Sequence, residues 1–339
     1  MSTCAYWNGS RYHADPAAPR RGHYESWFQR ANHPTRPLGF WIRYTIFSPK
    51  GRPSDAVGEL WAVYFDGENN AVTASKSVVP LAECSFSTAG LEHRIASATL
   101  TSDHLEGEAS GQGHTLAWSL VYRSAEPPLL LLPRALYGAT FPKAKSLVGS
   151  PLATFSGTLT VDGTAVPIDD WVGSQNHNWG SKHTDEYAWG QVAGFNDAPD
   201  AFLEVATARV RVGPLRTPWM TLMVLRVDGE TVRLNTLWQS VRADASYDYF
   251  RWRFESSARA ARTSGHIEAP RDAFVGLPYG NPPGGEKTCL NTKLASCQLT
   301  LHRPGRPPRS LQTRNRAAFE ILTDKHDHHV ALLPIGSGA

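Results

Sequence analysis

The sequence has too little charge bias to suggest a nucleic-acid-binding protein. Its 339 residues carry a formal net charge of only +3, and the short arginine clusters at 20–21 and 303–309 stand beside prolines. Binding to a phosphate backbone normally needs a concentrated basic patch, which is missing here. We therefore expect no nucleic acid among the partners of this protein.

Long apolar runs and an export signal are also missing. The longest apolar run, at 127–133, is far shorter than the ~20 residues that a membrane-spanning helix needs. The first residues show neither the basic region nor the apolar core of a secretory signal. These absences predict a cytoplasmic protein without a transmembrane segment.

Cysteine is scarce, and its positions show no metal-binding pattern. The chain has 4 cysteines, and none of them has a second cysteine or a histidine at the spacing of a zinc site. In a cytoplasmic protein such residues are most simply free thiols. We predict free thiols at Cys4, Cys84, Cys289 and Cys297.

Short β-strands dominate what the sequence does contain. Segments of aromatic and β-branched residues recur between turn residues, and 115–122 alternates apolar and polar positions. No segment has the pattern of a long amphipathic helix. The fold class is therefore predicted to be all-β, as a barrel or sandwich. The 11 tryptophans fit a wide apolar cavity and ordinary core packing equally well.

The strand pattern restarts after Gly213 and Pro214, which suggests a domain boundary there. We predict an irregular N-terminal arm at 1–22, an N-terminal domain at 23–212 and a C-terminal domain at 213–339. In the second domain, turn residues predict a hairpin of strands 219–227 and 231–238 and a rigid loop at 277–285.

The stretch 171–183, Trp-Val-Gly-Ser-Gln-Asn-His-Asn-Trp-Gly-Ser-Lys-His, has an unusual composition. It combines amides, imidazoles, indoles and glycines without a run of aliphatic residues, whereas a plain core strand is rich in Val, Ile and Leu. A plain turn does not need two tryptophans and two histidines. We therefore place the candidate functional site in this stretch.

Two motifs carry a resemblance to a known family. Residues 24–28, Tyr-Glu-Ser-Trp-Phe, resemble a Glu-(Trp/Gly)-Trp-Tyr motif, and 171–183 resembles a Trp-x-Gly segment followed by Asp-His-x-Trp-Gly or Asp-x-Asn-x-Gly. Residues 187–191 fall where that family has a Trp-rich strand. The family is that of the carotenoid 1,2-hydratases (hydroxyneurosporene synthases), with the related tocopherol cyclases.

The resemblance implies a fold and a class of reaction. It implies two lipocalin-like β-barrel or sandwich domains in tandem, and a hydrophobic small-molecule substrate such as a terpenoid polyene, a prenylated quinol or a polyketide. In the hydratases and cyclases, a carbon–carbon double bond is protonated, and water or an internal hydroxyl captures the cation. No cofactor is expected.

One position departs from the family pattern. Asn176 stands where the family usually has an aspartic acid, and an amide cannot donate a proton as a carboxylic acid does. A carboxyl buried in the apolar strand around Glu204 would have a raised pKa and could replace it; Asp185 and Glu186 are nearer along the chain. We predict catalytic roles for His177, Asn176 and Glu204.

The predicted substrate-binding residues are aromatic and polar side chains of the two motifs and the following strand. The aromatic rings could stabilise a carbocation, and the amides could orient a hydroxyl or carbonyl. Structural roles in core packing, turns or ion pairs remain open for each of them. The set consists of Glu25, Trp27, Trp171, Gln175, Asn178, Trp179, His183, Tyr187, Trp189 and Gln191.

Two further functions remain open from the sequence. A lipocalin-like protein that has lost its acid could be a non-catalytic carrier of a hydrophobic molecule. A metal-dependent enzyme could use His177 and His183, or the histidine-rich segment 324–329. The sequence also leaves open the oligomeric state and whether the pocket lies inside one domain or between the two.

Overall fold

The computed structural model describes residues 3–333, with side chains from residue 6 onward, and it consists mostly of β-strands. The predicted all-β fold class is confirmed. The arm predicted to be irregular is partly helical. Helices in the described residues are α1 (Thr3–Asn8), α2 (Arg11–Ala14), α3 (Ala18–Arg21) and α4 (Leu237–Arg242), with 3₁₀ turns at Pro53–Asp55, Leu81–Glu83, Arg134–Tyr137 and Arg271–Ala273.

The first half of the chain forms an antiparallel sheet that curls into a nearly closed barrel. Its order is β4-β3-β2-β1-β12-β11-β9-β8-β7-β6-β5, with β10 paired to β11. The strands are β1 (His23–Asn32), β2 (Leu38–Ser48), β3 (Val57–Asp66), β4 (Ala71–Pro80), β5 (Cys84–Phe86), β6 (His93–Ile95), β7 (Ala98–Leu100), β8 (His104–Gly111), β9 (His114–Arg123), β10 (Leu129–Leu130), β11 (Ala144–Val161) and β12 (Thr164–Gly180).

The second half forms another antiparallel sheet, in the order β18-β17-β14-β13-β24-β23-β21-β20-β19, with β22 paired to β23. A small separate hairpin joins β14 to β17. The strands are β13 (Glu186–Phe195), β14 (Ala198–Arg209), β15 (Arg211–Val212), β16 (Leu215–Arg216), β17 (Met220–Val227), β18 (Glu230–Leu234), β19 (Asp244–Tyr247), β20 (Arg251–Ala258), β21 (Ala261–Glu268), β22 (Val275–Gly280), β23 (Glu286–His302) and β24 (Arg309–Thr323).

The chain changes sheet between Gly180 and Glu186, before the predicted boundary at 212–213. The glycine and proline that suggested the boundary lie between β15 and β16. A sheet is not by itself an independent folding unit, so the division into domains stays a prediction. Residues 1–2 of the predicted arm and 334–339 of the predicted C-terminal domain lie outside the described residues.

Two local predictions in the second half are wrong. The strand predicted at 231–238 ends at Leu234, because Thr236 and Gln239 form a capping box that starts α4. The loop predicted at 277–285 contains most of β22. Pro278 is tolerated there because β22 pairs as a strand only with β23, and its other side makes just an isolated bridge from Gly276 to Leu332.

The barrel and the second sheet have separate cores and pack against each other. Along β1, Trp27 belongs to the core inside the barrel, whereas Phe28 belongs to an apolar cluster shared with Trp189 and Leu277 of the second sheet. Side chains alternate between the two faces of a strand. The faces of β1, β2 and β12 that point away from the barrel core therefore meet the second sheet.

Other expectations can be compared with the described part of the chain. Cys84, Cys289 and Cys297 are free thiols, as predicted, and the Cys4 side chain lies outside the described residues. Within residues 3–333, none of the helices combines the length and the apolar character needed to cross a membrane.

Candidate active site

A cavity of about 230 Å³ lies between the barrel and the second sheet. From the barrel, β1 and β2 contribute Phe28, Trp41 and Arg43; from the second sheet, β13 and β14 contribute Trp189 and Glu204. The wall is largely apolar and aromatic, with a few polar groups. These are the features of a site for a hydrophobic small molecule.

Strand β12 divides the central stretch between two environments. Asn176 and Asn178 border the cavity, on the face shared with Phe28, their neighbour on β1. Gln175 and His177, which alternate with them, have their side-chain contacts on the barrel side, although His177 also borders the cavity. Gln175 exchanges hydrogen bonds with Asn8 at 3.0 and 3.1 Å, and His177 stacks on the Trp27 ring. Residues adjacent in sequence therefore serve different sites.

The motif glycines allow the strands to approach closely. A Cβ atom at Gly173 would lie 1.7 Å from the carbonyl oxygen of Arg30 on β1, and one at Gly180 would lie 2.3 Å from that of Lys143. Any larger residue would therefore push β12 away from a neighbouring chain segment. This steric requirement explains these glycines without a role in chemistry.

Glu204 lies at the centre of a buried hydrogen-bond network beside the cavity. Trp189 Nε1 donates to its Oε1 and Gln191 Nε2 donates to its Oε2, each over 2.8 Å. Gln191 Nε2 is also 2.8 Å from Asn176 Oδ1, and its Oε1 accepts from Arg30 Nε at 2.8 Å. Gln191 thus connects Glu204 to Asn176.

Burial raises the pKa of Glu204 to about 7, although the Trp189 and Gln191 hydrogen bonds and the charge of Arg30 oppose the rise. Its side chain is almost inaccessible to solvent. A carboxyl with a pKa near neutrality is suited to give and take a proton at physiological pH. Glu204 is therefore buried with a raised pKa, and its catalytic role stays a prediction.

Asn176 is held as an amide. Its Nδ2 donates to Ser174 Oγ at 2.9 Å, and its Oδ1 accepts from Gln191. The carbonyl oxygen of Phe28 lies 3.4 Å from the same Nδ2. These partners need both a donor and an acceptor at this position, which a carboxylate does not supply.

Asn176→Asp is therefore expected to destabilise the protein. The substitution removes the donor that faces Phe28 and places a carboxylate in a buried site near Glu204, so we expect a loss of about 1–3 kcal/mol near neutral pH. Burial raises the pKa of a carboxyl, and the loss should shrink as the pH falls and the new group is protonated. Urea unfolding at pH 5 and pH 8 measures this, and a loss independent of pH would contradict it.

His177 and Glu25 form a separate cluster on the barrel side, closed by the N-terminal arm. His177 Nε2 lies 2.9 Å from Glu25 Oε1, and its Nδ1 lies 2.8 Å from the carbonyl oxygen of Trp7. Glu25 also accepts from the backbone N–H groups of Arg11 and Tyr12 at 2.7 and 2.9 Å. The cluster joins the arm to the barrel.

The charges of this cluster follow from its geometry. Burial alone would raise the pKa of Glu25, but hydrogen bonds from His177 and His23 hold it well below its usual range. Burial lowers the pKa of His177, and the Glu25 carboxylate opposes this. A carboxylate and a carbonyl oxygen flank the ring, and the neutral imidazole that the lowered pKa favours can donate a hydrogen bond to only one of them at a time.

The other predicted substrate-binding residues are distributed over three places. Trp27 and Trp171 belong to the barrel core, and Trp179 packs on the His177 ring. On the cavity wall are Asn178, His183, Tyr187 and Trp189. Glu25, Gln175 and Gln191 are buried and hydrogen-bonded in the contacts given above.

Two residues of the wall have features relevant to chemistry. Burial and the charge of Arg43 lower the pKa of His183 to about 3, so its ring is neutral and is a poor proton donor at neutral pH. Asn178 Oδ1 is buried and has no hydrogen-bond partner among the described residues. It is thus available to accept a hydrogen bond from a bound molecule.

The residues proposed for a metal site do not form one. Within residues 3–333, no group of at least three His, Cys, Asp or Glu side chains is arranged to hold an ion. His177 contacts Glu25 and Trp7, whereas His183 Nε2 is 3.1 Å from the carbonyl oxygen of Gly280. In the histidine-rich segment, His328 Nδ1 accepts from the backbone N–H of Val330.

Sequence reasoning missed part of the cavity wall. Arg43, Tyr279 and Glu320 border the cavity, and Glu320 is paired with Lys293 at 2.8 Å. Arg43 and Glu320 are single charges inside apolar strands, which is the signal that identified Glu204. That signal also occurs at solvent-facing positions, so it does not by itself select these two residues.

Comparisons with known proteins identify the fold. No protein-family model matches the chain. An uncharacterized protein of Mycobacterium tuberculosis, Rv0493c, is 26% identical over 286 residues, which cover 83% of this chain and 82% of that protein.

Solved structures are similar over most of the chain. Kievitone hydratase from Nectria haematococca superposes with a TM-score of 0.56 at 13% identity, covering 89% of each chain. A structure assigned as AttH from Nitrosomonas europaea gives 0.54 at 13% identity, with 89% of this chain and 92% of that chain covered. CghA gives 0.53 at 14% identity, with 90% of each covered. The chain has their fold. The lipocalin-like architecture expected from the two motifs is therefore confirmed as a fold class.

Proposed function

We propose that this protein is an enzyme that protonates a carbon–carbon double bond of a hydrophobic substrate held between the barrel and the second sheet. The observation that carries the proposal is Glu204, a buried carboxyl on the cavity wall with a pKa raised to about 7. It supplies the acid that Asn176 cannot. The reaction is a hydration, a cyclisation or an isomerisation, according to how the cation is captured.

The proposed chemistry needs no group beyond the cavity wall, substrate and water. Glu204 transfers its proton to one alkene carbon, and the π electrons of the double bond form the new C–H bond. The neighbouring carbon becomes a cation, which the faces of Trp41 and Trp189 stabilise. Water or a substrate hydroxyl then adds, or an adjacent C–H loses its proton. In each case a proton returns to the Glu204 carboxylate.

The polar residues around Glu204 have positioning roles in this proposal. Gln191 and Trp189 fix the carboxyl by hydrogen bonds of 2.8 Å, and Asn176 fixes Gln191 through its Oδ1. Asn178 Oδ1, which has no partner in the described chain, accepts a hydrogen bond from a substrate hydroxyl or from the attacking water. His177 is assigned to the contact with the N-terminal arm rather than to proton transfer.

The comparisons support this class of reaction. Kievitone hydratase, whose name describes the hydration of kievitone, has the same fold over 89% of this chain. At 13% identity, this similarity supports the proposal through the fold and does not identify the substrate.

Incubation in D₂O with candidate substrates tests the proposal. Kievitone, a linear polyene and a prenylated quinol are incubated with the protein, and the products are analysed by mass spectrometry and NMR. We expect one of them to gain a carbon-bound deuterium, so that its mass rises by one water plus the deuterium label for hydration and by the deuterium label alone for cyclisation or isomerisation. Deuterium in a product of boiled protein would mean that the exchange is not enzymatic.

A carrier without catalysis is the second candidate. It is favoured by Asn176 at the position of the family acid, and by the two Glu204 oxygens, which already accept hydrogen bonds. Solvent extraction of the purified protein separates the candidates. A carrier releases one hydrophobic compound that is unchanged after long incubation with fresh protein, whereas an enzyme converts the supplied compound.

A further inference from the structure

Arg43 is a buried cation without an ionic partner in the described part of the chain. It borders the cavity, only 4% of its surface is exposed, and its Nε has no hydrogen-bond partner there. The carboxylates whose charges act on it are Glu59 and Glu320. Each has a lysine of its own at 2.8 Å, Lys76 for Glu59 and Lys293 for Glu320.

The direct contacts that Arg43 makes are with neutral groups. Its Nη2 donates to Ser26 Oγ at 2.5 Å, and its guanidinium lies 4.4 Å from the Tyr279 ring centroid. A hydroxyl and an aromatic face are weaker partners for a desolvated cation than a carboxylate. A buried charge normally has an ionic partner or a metal.

Trp41 gives an independent indication at the same wall. Its ring centroid lies 5.8 Å from the Arg43 guanidinium carbon, and its Nε1 is a buried donor without a partner among the described residues. Two neighbouring residues therefore each carry an unused N–H donor. Buried donors are normally satisfied, and unsatisfied ones call for an explanation such as a missing ligand.

We propose that Arg43 and Trp41 form a subsite for an ionised oxygen group of the substrate, such as a carboxylate, an enolate or a phenolate. The substrate is then an amphipathic acid, not a pure hydrocarbon polyene. This inference deepens the proposed function, because it concerns the substrate of the same cavity. The planar guanidinium suits such a group, since it can present parallel N–H donors to two oxygens.

The sheet register connects the proposed oxyanion subsite to the acid. Arg43 pairs with Phe28 in the sheet register, and Phe28 pairs with Asn176, which is connected through Gln191 to Glu204. The oxyanion subsite and the acid therefore lie on the same cavity wall region. A substrate anchored by its charge would have its orientation toward Glu204 fixed.

Two fluorescent probes with one skeleton test this inference. 8-Anilinonaphthalene-1-sulfonate carries a sulfonate that stands in for the oxyanion, and N-phenyl-1-naphthylamine is its neutral counterpart. We expect Arg43→Met to weaken binding of the sulfonate about tenfold or more and to leave the neutral probe unchanged, since a charge-assisted contact is lost. Trp41→Phe removes the N–H donor together with part of the indole ring, so it should weaken sulfonate binding about threefold to tenfold more than it weakens binding of the neutral probe.

Two control variants test whether the loss of sulfonate binding is specific to the proposed subsite. Arg36→Met removes a surface arginine just before β2 and should change neither affinity. Ala206→Trp fills the cavity and should weaken both probes. Equal losses for the two probes in Arg43→Met, or no loss for the sulfonate, would overturn the subsite. If Arg43→Met does not fold, the sulfonate-specific loss in Trp41→Phe decides the matter alone.

The result of the probe-binding experiment does not depend on whether the protein is catalytically active. Glu204→Gln should retain the preference for the sulfonate, because Glu204 is not a ligand of the oxyanion. A failed reaction assay together with a sulfonate-specific loss in Arg43→Met would reject the proposed chemistry and keep the subsite. The reverse result would reject the subsite and keep the chemistry.

Discussion

Replacing Glu204 by Gln is expected to lower turnover by about 10²–10⁴-fold, the usual contribution of a general acid–base group. The amide keeps the shape of the side chain and can still accept one of the two hydrogen bonds, but it has no proton to transfer. Single-turnover rates of the substrate identified in D₂O measure the effect. Glu255→Gln, a carboxylate on the surface of β20 paired with Arg262, is the matched control and should keep full activity.

Glu204→Gln should also change how the free energy of unfolding depends on pH. The pKa of Glu204 is raised from 4.5 to about 7 in the folded protein, so the folded state binds more protons than the unfolded state within that interval. Stability therefore falls as the pH rises through this window, by up to about 3 kcal/mol. The variant should lack this component and should gain stability relative to the wild type above pH 7. Parallel curves would mean that Glu204 titrates normally.

Glu25→Ala is expected to cost about 3–5 kcal/mol in the free energy of unfolding, because several buried donors lose their acceptor at about 1–3 kcal/mol each. The substitution leaves His177 without its carboxylate and removes the acceptor for the N–H groups of Arg11 and Tyr12. The arm should then detach from the barrel. Urea unfolding measures the loss, and limited proteolysis should cut the first 22 residues in the variant before it cuts the wild type.

The pH dependence gives this prediction a second test. The pKa of Glu25 is depressed in the folded state, so its stabilisation is present above the unfolded value of 4.5 and is lost as the pH falls toward the folded one. The difference between wild type and Glu25→Ala should shrink in acid. A variant that stays as stable as the wild type but loses turnover would instead place Glu25 in the chemistry.

Much of the fold could be predicted from local sequence. Alternating apolar residues and Asp-Gly turns predicted most strands, because side-chain period and turn chemistry act over a few residues. The short helix α4 was missed because a capping box at Thr236 outweighs the β-like residues before it. Glu204 can be selected from the sequence because it is a single carboxyl inside an apolar strand, where burial would raise its pKa.

The arrangement of the site depends on long-range contacts. The sequence placed Asn176 and His177 together, but strand alternation directs them to opposite sides of the sheet. Which side belongs to the cavity is decided by the packing of the second sheet on β1, β2 and β12. Arg43 became a candidate only when its lack of an ionic partner was visible, and that depends on residues more than 200 positions away, such as Lys293.

The position of the cavity between two independently packed cores has a consequence for how such proteins diversify. Inside the barrel, a substitution disturbs a core such as the one around Trp27, whereas the wall residues Ala206 and Leu222 are only partly buried and belong to neither of the two main cores. Mutations there can change the shape and polarity of the chamber at little cost to folding. New substrate preferences can therefore evolve through substitutions in the cavity wall, while the cores of the barrel and of the second sheet stay unchanged.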